Sequence, residues 1–257
     1  MRIRVQYQIP HPVPLPYSLN YALMSYLYRA IRSVNPDLAD WLHHEGIRYQ
    51  NRSYKPFVFS SLQFRKQKNT QSHRIVEGDA FWYVDSIRPD VIRTIYEGIR
   101  VLGALQILHH VFPLLSVQLL PQPDYQQVMN YQTLSPIVVP IQRRDQLVFC
   151  HPLESDFYDQ IRTSLRRWAV MKWEDPSFEE APIHIRLLDP ASFDLKQASV
   201  LTKVKEKNLK GYQFPFQIEA SPRIQEVAME AGLGSYSSQG FGMVAVQPST
   251  DRSSSNR

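Results

Sequence analysis

His43 and His44 stand three and two residues ahead of Gly46 in Trp41-Leu42-His43-His44-Glu45-Gly46, where an apolar helix face reaches its stop. A histidine near its ordinary pKa of ~6.5 donates and accepts protons at neutral pH. RNA offers such a residue a reaction that needs little else. A 2′-hydroxyl loses its proton and attacks the adjacent phosphorus, and the departing 5′-oxygen takes a proton up. The sequence carries no H-E-x-x-H, no paired-aspartate spacing and no histidine-cysteine zinc pattern, so neither a metal nor a cofactor is expected. Successive residues of a helix point about 100° apart, so the two histidines do not address one phosphate; His43 is the candidate and His44 its competitor. His109 and His110, and the isolated His11, His73, His151 and His184, read as structural.

The second chemical feature is Ala231-Gly232-Leu233-Gly234-Ser235-Tyr236-Ser237-Ser238-Gln239-Gly240-Phe241-Gly242-Met243-Val244, which holds four of the nine glycines. Its spacing is neither the dinucleotide fingerprint nor the phosphate loop of nucleotide hydrolases. Glycine permits positive φ and close backbone approach, so the loop is expected to leave main-chain amides open to a phosphate backbone. A tight helix-to-strand connection that needs glycine for geometry alone is the competing reading. Formal charge is +5, with an isoelectric point near 9.2. Arg65, Lys66 and Lys68 form one basic cluster; Arg143-Arg144, Arg162 with Arg166-Arg167, and Lys203, Lys205, Lys207 and Lys210 form others. Basic clusters without matching acidic ones favour a phosphate-bearing partner.

The elements that must position these residues follow from periodicity. Residues 1–7 alternate as an amphipathic strand and lack the apolar core of a signal peptide; Pro10, Pro12, Pro14 and Pro16 give an extended lead-in. A helix is predicted over 18–33, broken by Asn35-Pro36, with a second short helix ending at Gly46. Strands are expected at 54–64 and 80–85, joined by a basic hairpin loop, then a helix from Pro89 to Gly103 and a strand at 111–120. The order is βαββαβ. Residues 121–131 read as a polar connection, after which 134–139, a helix near 155–168, strands at 182–188 and 212–218, the Ser221 helix and a final strand repeat the plan; 189–211 has no clear pattern. The prediction is an α+β chain of two tandem ferredoxin-like domains, 1–122 with the candidate histidine and 132–247 with the glycine-rich loop, plus a disordered tail at 248–257. One cysteine, Cys150, allows no internal disulfide, and no run approaches the ~18 apolar residues of a membrane span, so a cytoplasmic protein without a membrane partner is expected.

Four stretches in order carry a resemblance: Trp41 to Gly46, Lys55-Pro56-Phe57-Val58-Phe59-Ser60-Ser61-Leu62, Ser135-Pro136-Ile137-Val138-Val139, and the glycine-rich loop. Together they resemble the CRISPR-associated protein family six, endoribonucleases of the RAMP superfamily that process precursor CRISPR RNA. The resemblance runs over about residues 1 to 247. It implies tandem ferredoxin-like domains, cleavage inside the repeat without a metal, and products bearing a 2′,3′-cyclic or 3′-phosphate and a 5′-hydroxyl. The family's histidine maps onto His43 and a helix tyrosine of some members onto Tyr28. Some members place a lysine where this chain has Tyr49; Arg48 is the substitute expected to stabilise phosphorane charge, although arginine cannot carry a proton.

The resulting expectation is a metal-independent, repeat-specific RNA endonuclease. His43 is its general acid or base, Tyr28 positions the reacting groups and Arg48 clamps the phosphate. Gly232, Gly234, Ser235, Ser237, Ser238, Gln239, Gly240 and Gly242 bind the repeat with Lys55, Arg65, Lys66 and Lys68. Its partners are CRISPR repeat RNA and the mature CRISPR RNA, with an effector complex and a homodimer left open. Two rivals stand beside it: a non-cleaving CRISPR RNA-binding subunit, and a two-domain metabolic protein whose loop holds a small phosphate.

Overall fold

The computed structural model describes residues 1–247, so the tail expected at 248–257 lies outside the described residues. Strand β1 (Arg2–Pro16) buries Ile3, Val5, Tyr7, Ile9, Val13 and Leu15, the alternate residues that face the core. It is longer than expected, because the proline run stays in the sheet. Beyond Tyr7 only one neighbour accompanies β1, and alternating prolines, whose missing amides all lie on one side of a strand, fit that free edge. Helices α1 (Asn20–Val34) and α2 (Pro36–His44) follow. A short hairpin, β2 (Ile47–Tyr49) with β3 (Arg52–Tyr54), precedes β4 (Phe57–Phe59), β5 (Gln63–Asn69) and β6 (His73–Ser86). Helix α3 (Pro89–Leu102) and strands β7 (Ala104–Ile107) and β8 (His110–Leu120) complete the first unit.

Sheet order is β4-β6-β1-β8-β7, with β5 also on β6. Helices α1 and α3 cover one face and bury Leu23, Leu27, Ile31, Val91, Ile95 and Ile99 against β1. The single strand expected at 54–64 is broken at Ser60–Leu62. There the Ser60 amide bonds the Tyr83 carbonyl (2.9 Å) and the Ser61 amide turns to Leu134 O (3.1 Å) in the other unit. The basic stretch is also no loop: Lys66 and Lys68 sit on β5, opposite Glu77 and Ile75 of β6.

In the second unit β9 (Val128–Thr133) is followed by the hairpin β10 (Pro140–Arg143) with β11 (Gln146–Phe149), then α4 (Ser155–Trp173) and β12 (Ile183–Leu187). A one-turn helix α5 (Leu195–Ala198) and the hairpin β13 (Ser199–Val204) with β14 (Lys207–Tyr212) occupy the stretch that had no pattern. Strand β15 (Phe216–Ala220), α6 (Pro222–Ala231) and β16 (Val244–Val246) close the unit, with sheet order β12-β15-β9-β16. Apart from the hairpin insertions, both units run βαββαβ with the first strand inside, the tandem ferredoxin-like plan expected. The first strand of this unit is Val128–Thr133, however, and not 134–139. Met129 and Tyr131 alternate inward with exposed neighbours, whereas Ile137, Val138 and Val139 are all buried in an irregular run that makes only single bridges to Tyr212 and Ser235. Ser221 caps α6 without a side-chain hydrogen bond.

Candidate active site at the junction of the two units

The site begins with how α2 ends. Asn35 accepts a hydrogen bond from the Leu38 amide (3.0 Å) and Pro36 occupies the first turn, so the start of the helix is fixed. At the other end the amides of Glu45 and Gly46 both reach Trp41 O at 2.8 Å. Gly46 has φ +68°, and a Cβ there would lie 2.4 Å from Tyr54 O. The chain therefore turns straight from His43 and His44 into the β2–β3 hairpin. Gln50 and Asn51 both have positive φ, as a two-residue hairpin turn requires. The pairing Ile47↔Tyr54 then brings Lys55 back to the helix end, where its Nζ donates to the His43 carbonyl at 3.2 Å.

His43 is exposed, and its ring packs edge-on to Tyr28 of α1, centroids 5.8 Å apart. Tyr28 is itself held edge-on by Phe57 (6.0 Å), and its hydroxyl donates to Leu42 O at 3.4 Å. Burial pushes the Tyr28 phenol up to about 12. Burial acts the opposite way on Lys55, lowering its pKa, with Glu45 opposing that shift. Tyr28, His43 and Lys55 line one cavity of about 450 Å³, together with Arg29 and Arg32 of α1 and, from the second unit, Lys205, Ser238 and Gln239. Arg32 is paired with Asp40, Arg29 lies 5.9 Å over the Tyr26 ring and Lys205 lies 5.1 Å over the Tyr21 ring. His44 touches the His43 ring (4.8 Å) but does not line the cavity.

Arg48 is not brought to this place. It is exposed on β2, opposite Ser53, outside the cavity lining. Tyr49 instead ties the hairpin to the second unit, its hydroxyl donating to Glu179 at 2.7 Å. The cation beside His43 is Lys55, twelve residues downstream. Its approach depends on a hairpin pairing; the signal for it was the polar pair Gln50-Asn51 between two short β-prone stretches. Lys205 was visible only as part of a basic cluster, because its approach to α1 is made between units.

The glycine-rich loop serves packing as much as presentation. Gly232, Gly234, Gly240 and Gly242 all have positive φ, and a Cβ at Gly240 would lie 2.4 Å from the Phe59 ring. The expectation of open amides is met only in part: Leu233, Ser235, Gln239, Gly240 and Gly242 donate to carbonyls of Gly242, Val138, Tyr236, Ser237 and Pro136. Asn20 of α1 donates to Gln239 O (2.8 Å) and Gly240 O (3.1 Å), which fixes the Ser237–Gln239 turn over the cavity. Gly234, Ser235, Ser237, Ser238 and Gln239 line a second polar cavity behind that turn. Gly232 and Gly242 are buried behind it. Arg65, Lys66 and Lys68 line neither cavity; Arg65 pairs with Asp79 (3.3 Å) and Lys66 with Glu77 (3.9 Å). Among the described residues no three histidine, cysteine, aspartate or glutamate side chains gather as metal ligands, and no helix is long and apolar enough to cross a membrane.

Known proteins share this sequence and this fold. A CRISPR-associated endoribonuclease Cas6 of Pyrococcus furiosus is 26% identical over 91% of this chain and 84% of its own. A CRISPR-associated endoribonuclease Cas6 of Methanocaldococcus jannaschii is also 26% identical, over 95% of this chain and 92% of its own. Among solved structures, a Cas6-related protein of Pyrococcus furiosus superimposes with a TM-score of 0.80 at 23% identity, covering 97% of this chain and 99% of the other. A RAMP protein described as binding different RNA substrates superimposes with a TM-score of 0.77 at 22% identity, over 96% and 100%. These two structural likenesses speak for the fold. The family model for the N-terminal part of CRISPR-associated protein Cas6 matches residues 14–118, and the model for its C-terminal part matches 120–246. Matched in both halves and in order, the chain belongs to the CRISPR-associated protein Cas6 family.

Proposed function

We propose that the chain is a metal-independent endoribonuclease that binds the repeat of precursor CRISPR RNA and cleaves within it to give mature guide RNAs. Relatives named as endoribonucleases over most of the chain support the class. The observation that carries the chemistry is the His43 ring packed on Tyr28 with the Lys55 ammonium at its own backbone carbonyl. In this reading His43 takes the proton of the attacking 2′-hydroxyl. The 2′-oxygen bonds to phosphorus, the bond to the 5′-oxygen breaks, and a 2′,3′-cyclic phosphate and a 5′-hydroxyl result. Tyr28, whose buried phenol keeps its proton, turns its one O–H from the long bond to Leu42 O (3.4 Å) to the phosphate and so orients it. Lys55 takes the part expected of Arg48: it neutralises the phosphorane oxygens and supplies the proton to the leaving 5′-oxygen, which an arginine could not do. Lys205 and the Ser237–Gln239 turn hold the RNA from the second unit.

The boundary between the two functional units falls in 121–127. The described cavity is complete within one chain, so this mechanism requires no second copy. It acts in the cytoplasm, and slow release of the guide RNA would let the protein pass into an effector complex with it. The test is incubation in EDTA with a labelled repeat RNA from the same genome, beside His43→Ala. Wild type should cleave and leave a cyclic or 3′-phosphate. His43→Ala should bind equally and lose about 10²- to 10⁴-fold in rate, the usual share of general acid–base catalysis. Binding without cleavage by either protein would identify a non-cleaving RNA-binding subunit, and a chelator-sensitive rate would overturn the metal-free chemistry.

A further inference from the structure

The cavity behind the Ser237–Gln239 turn has no part in the chemistry above. It measures about 450 Å³ and lies between the β2–β3 hairpin, helix α4 and the glycine-rich loop. Its apolar wall is Tyr54 against Trp168, ring centroids 5.2 Å apart at 75°. The Tyr54 hydroxyl is buried there without a hydrogen-bond partner. Two arginines line the cavity, Arg52 from the hairpin and Arg167 from α4. Neither guanidinium makes a hydrogen bond or an ion pair among the described residues, although other arginines of α4 do: Arg162 pairs with Asp159, and Arg166 donates to Ala181 O at 2.9 Å. Positive charge has thus been left unneutralised at a concave polar site. Lys55, Ser238 and Gln239 line this cavity and the His43 cavity alike, so the two share a wall. A nucleic-acid strand crossing that wall passes from one to the other.

We infer that Arg52 and Arg167 bind the phosphate next to the scissile one, and that the cavity receives the nucleotide this phosphate carries. Guanidinium forks suit phosphate oxygens, which accept paired N–H bonds. A wall of two aromatic rings suits an unstacked base, the form in which single-stranded RNA is read. The arginines touch no reacting atom; they set the register that presents one particular bond to His43. The inference rests on the RNA-cleaving reading of the neighbouring cavity.

The experiment uses two forms of the repeat RNA: unmodified for rates, and with a single 2′-deoxy nucleotide at the cleavage position for binding. The protein is compared with Arg52→Gln/Arg167→Gln and with Arg52→Lys/Arg167→Lys. The glutamine pair should weaken binding at least about tenfold, the scale of a charge-assisted hydrogen bond. It should also flatten the salt dependence by about 0.7 in log–log slope for each single-strand phosphate that is no longer neutralised. The cleavage defect should appear in KM and not in the saturated rate, and the lysine pair should recover the salt slope. A methylphosphonate at one phosphate flanking the cleaved bond should weaken wild type to the same extent and add nothing to the glutamine pair. Unchanged affinity and slope in the glutamine pair, or additive losses at every flanking phosphate, would overturn the assignment. Failure of wild type to cleave unmodified RNA would sink the reaction itself, while the binding arm would still report on the phosphate site.

Discussion

At the scale of single residues, burial gives Tyr28 and Lys55 opposite tendencies, and both suit a site that must donate protons. A phenol pushed up to about 12 stays protonated through the neutral range and cannot serve as a base there. An ammonium whose pKa is lowered by burial gives up its proton more readily than an exposed lysine. The sign follows: the active ammonium is present below the lowered pKa and is lost as pH rises through it. Single-turnover cleavage should therefore fall on an alkaline limb that begins below the ordinary lysine value of ~10.4. Lys55→Arg should cleave more slowly at pH 7 and lack that limb. A limb retained in Lys55→Arg would assign it elsewhere, and a rate climbing tenfold per pH unit toward 12 would make Tyr28 the base. His43 is legible in sequence because everything that marks it, the apolar helix face, the helix end and Gly46, lies within six residues. Tyr28 rests on family resemblance alone. The approach of Lys55 to His43 is hidden, and the sequence offers Arg48 instead, because proximity to His43 depends on a strand pairing that residue spacing does not encode.

Elements show the same division between local and non-local information. The longer helices were legible from their apolar periodicity and their proline and glycine punctuation, down to Pro89 and Gly103 at the ends of α3. Strands were harder, because what makes a strand is a partner. The run 137–139 was hydrophobic enough to look like one, yet it makes only single bridges, to Tyr212 at the end of β14 and to Ser235, while Val128–Thr133 was hidden behind polar residues that point outward. The β5 cations read as a loop because their composition is polar, but pairing along β6 holds them in a ladder. The glycine-rich loop was legible as a feature and only partly as a function, since all four of its glycines serve close packing, a Cβ at any of them meeting a neighbour at 2.8 Å or less. Gly240 tests this directly. With φ +83° and the Phe59 ring 2.4 Å from any Cβ, Gly240→Ala should cost about 1–3 kcal/mol in urea unfolding. It should also shift the Ser238 and Gln239 wall and lower cleavage. A variant as stable as wild type would show that the loop has room to adjust.

For the whole molecule, the question is what holds two similar units at one angle, since the His43 cavity takes eight lining residues from the first and three from the second. At the cavity Asn20 holds the Gln239 and Gly240 carbonyls and the Phe59 ring packs on Gly240. A buried charged tie lies on another side of the junction, where Arg2, 7% exposed, crosses from the first unit to the second. Its guanidinium pairs with Asp85 at 3.0 Å and donates to Met229 O (2.7 Å) and Val244 O (2.8 Å). Met229 belongs to α6, which also carries Glu230, and Lys172 of α4 reaches Glu226 (2.7 Å) and Glu230 (2.6 Å). Replacing Arg2 by alanine leaves the buried Asp85 carboxylate with only the Met1 ammonium (3.3 Å) and the Ser86 amide (2.8 Å) and strands two carbonyls, so Arg2→Ala should cost about 3 kcal/mol at pH 7. Burial holds the Asp85 carboxyl above its ordinary range, with Arg2 pulling it back part of the way. A raised carboxyl favours the folded state most below its unfolded pKa of ~3.9 and loses that contribution as pH rises through the folded value. Removing Arg2 raises the folded value further, so the deficit of the variant should be largest at neutral pH. At a pH of about 4, near the unfolded value, more of the buried carboxyl carries its proton, and the deficit should shrink toward the share of the two carbonyls. Urea unfolding of both proteins at the two pH values reads this difference. A deficit of equal size at both would mean that Arg2 acts through its carbonyl bonds alone, and that Asp85 contributes nothing to holding the second unit over His43.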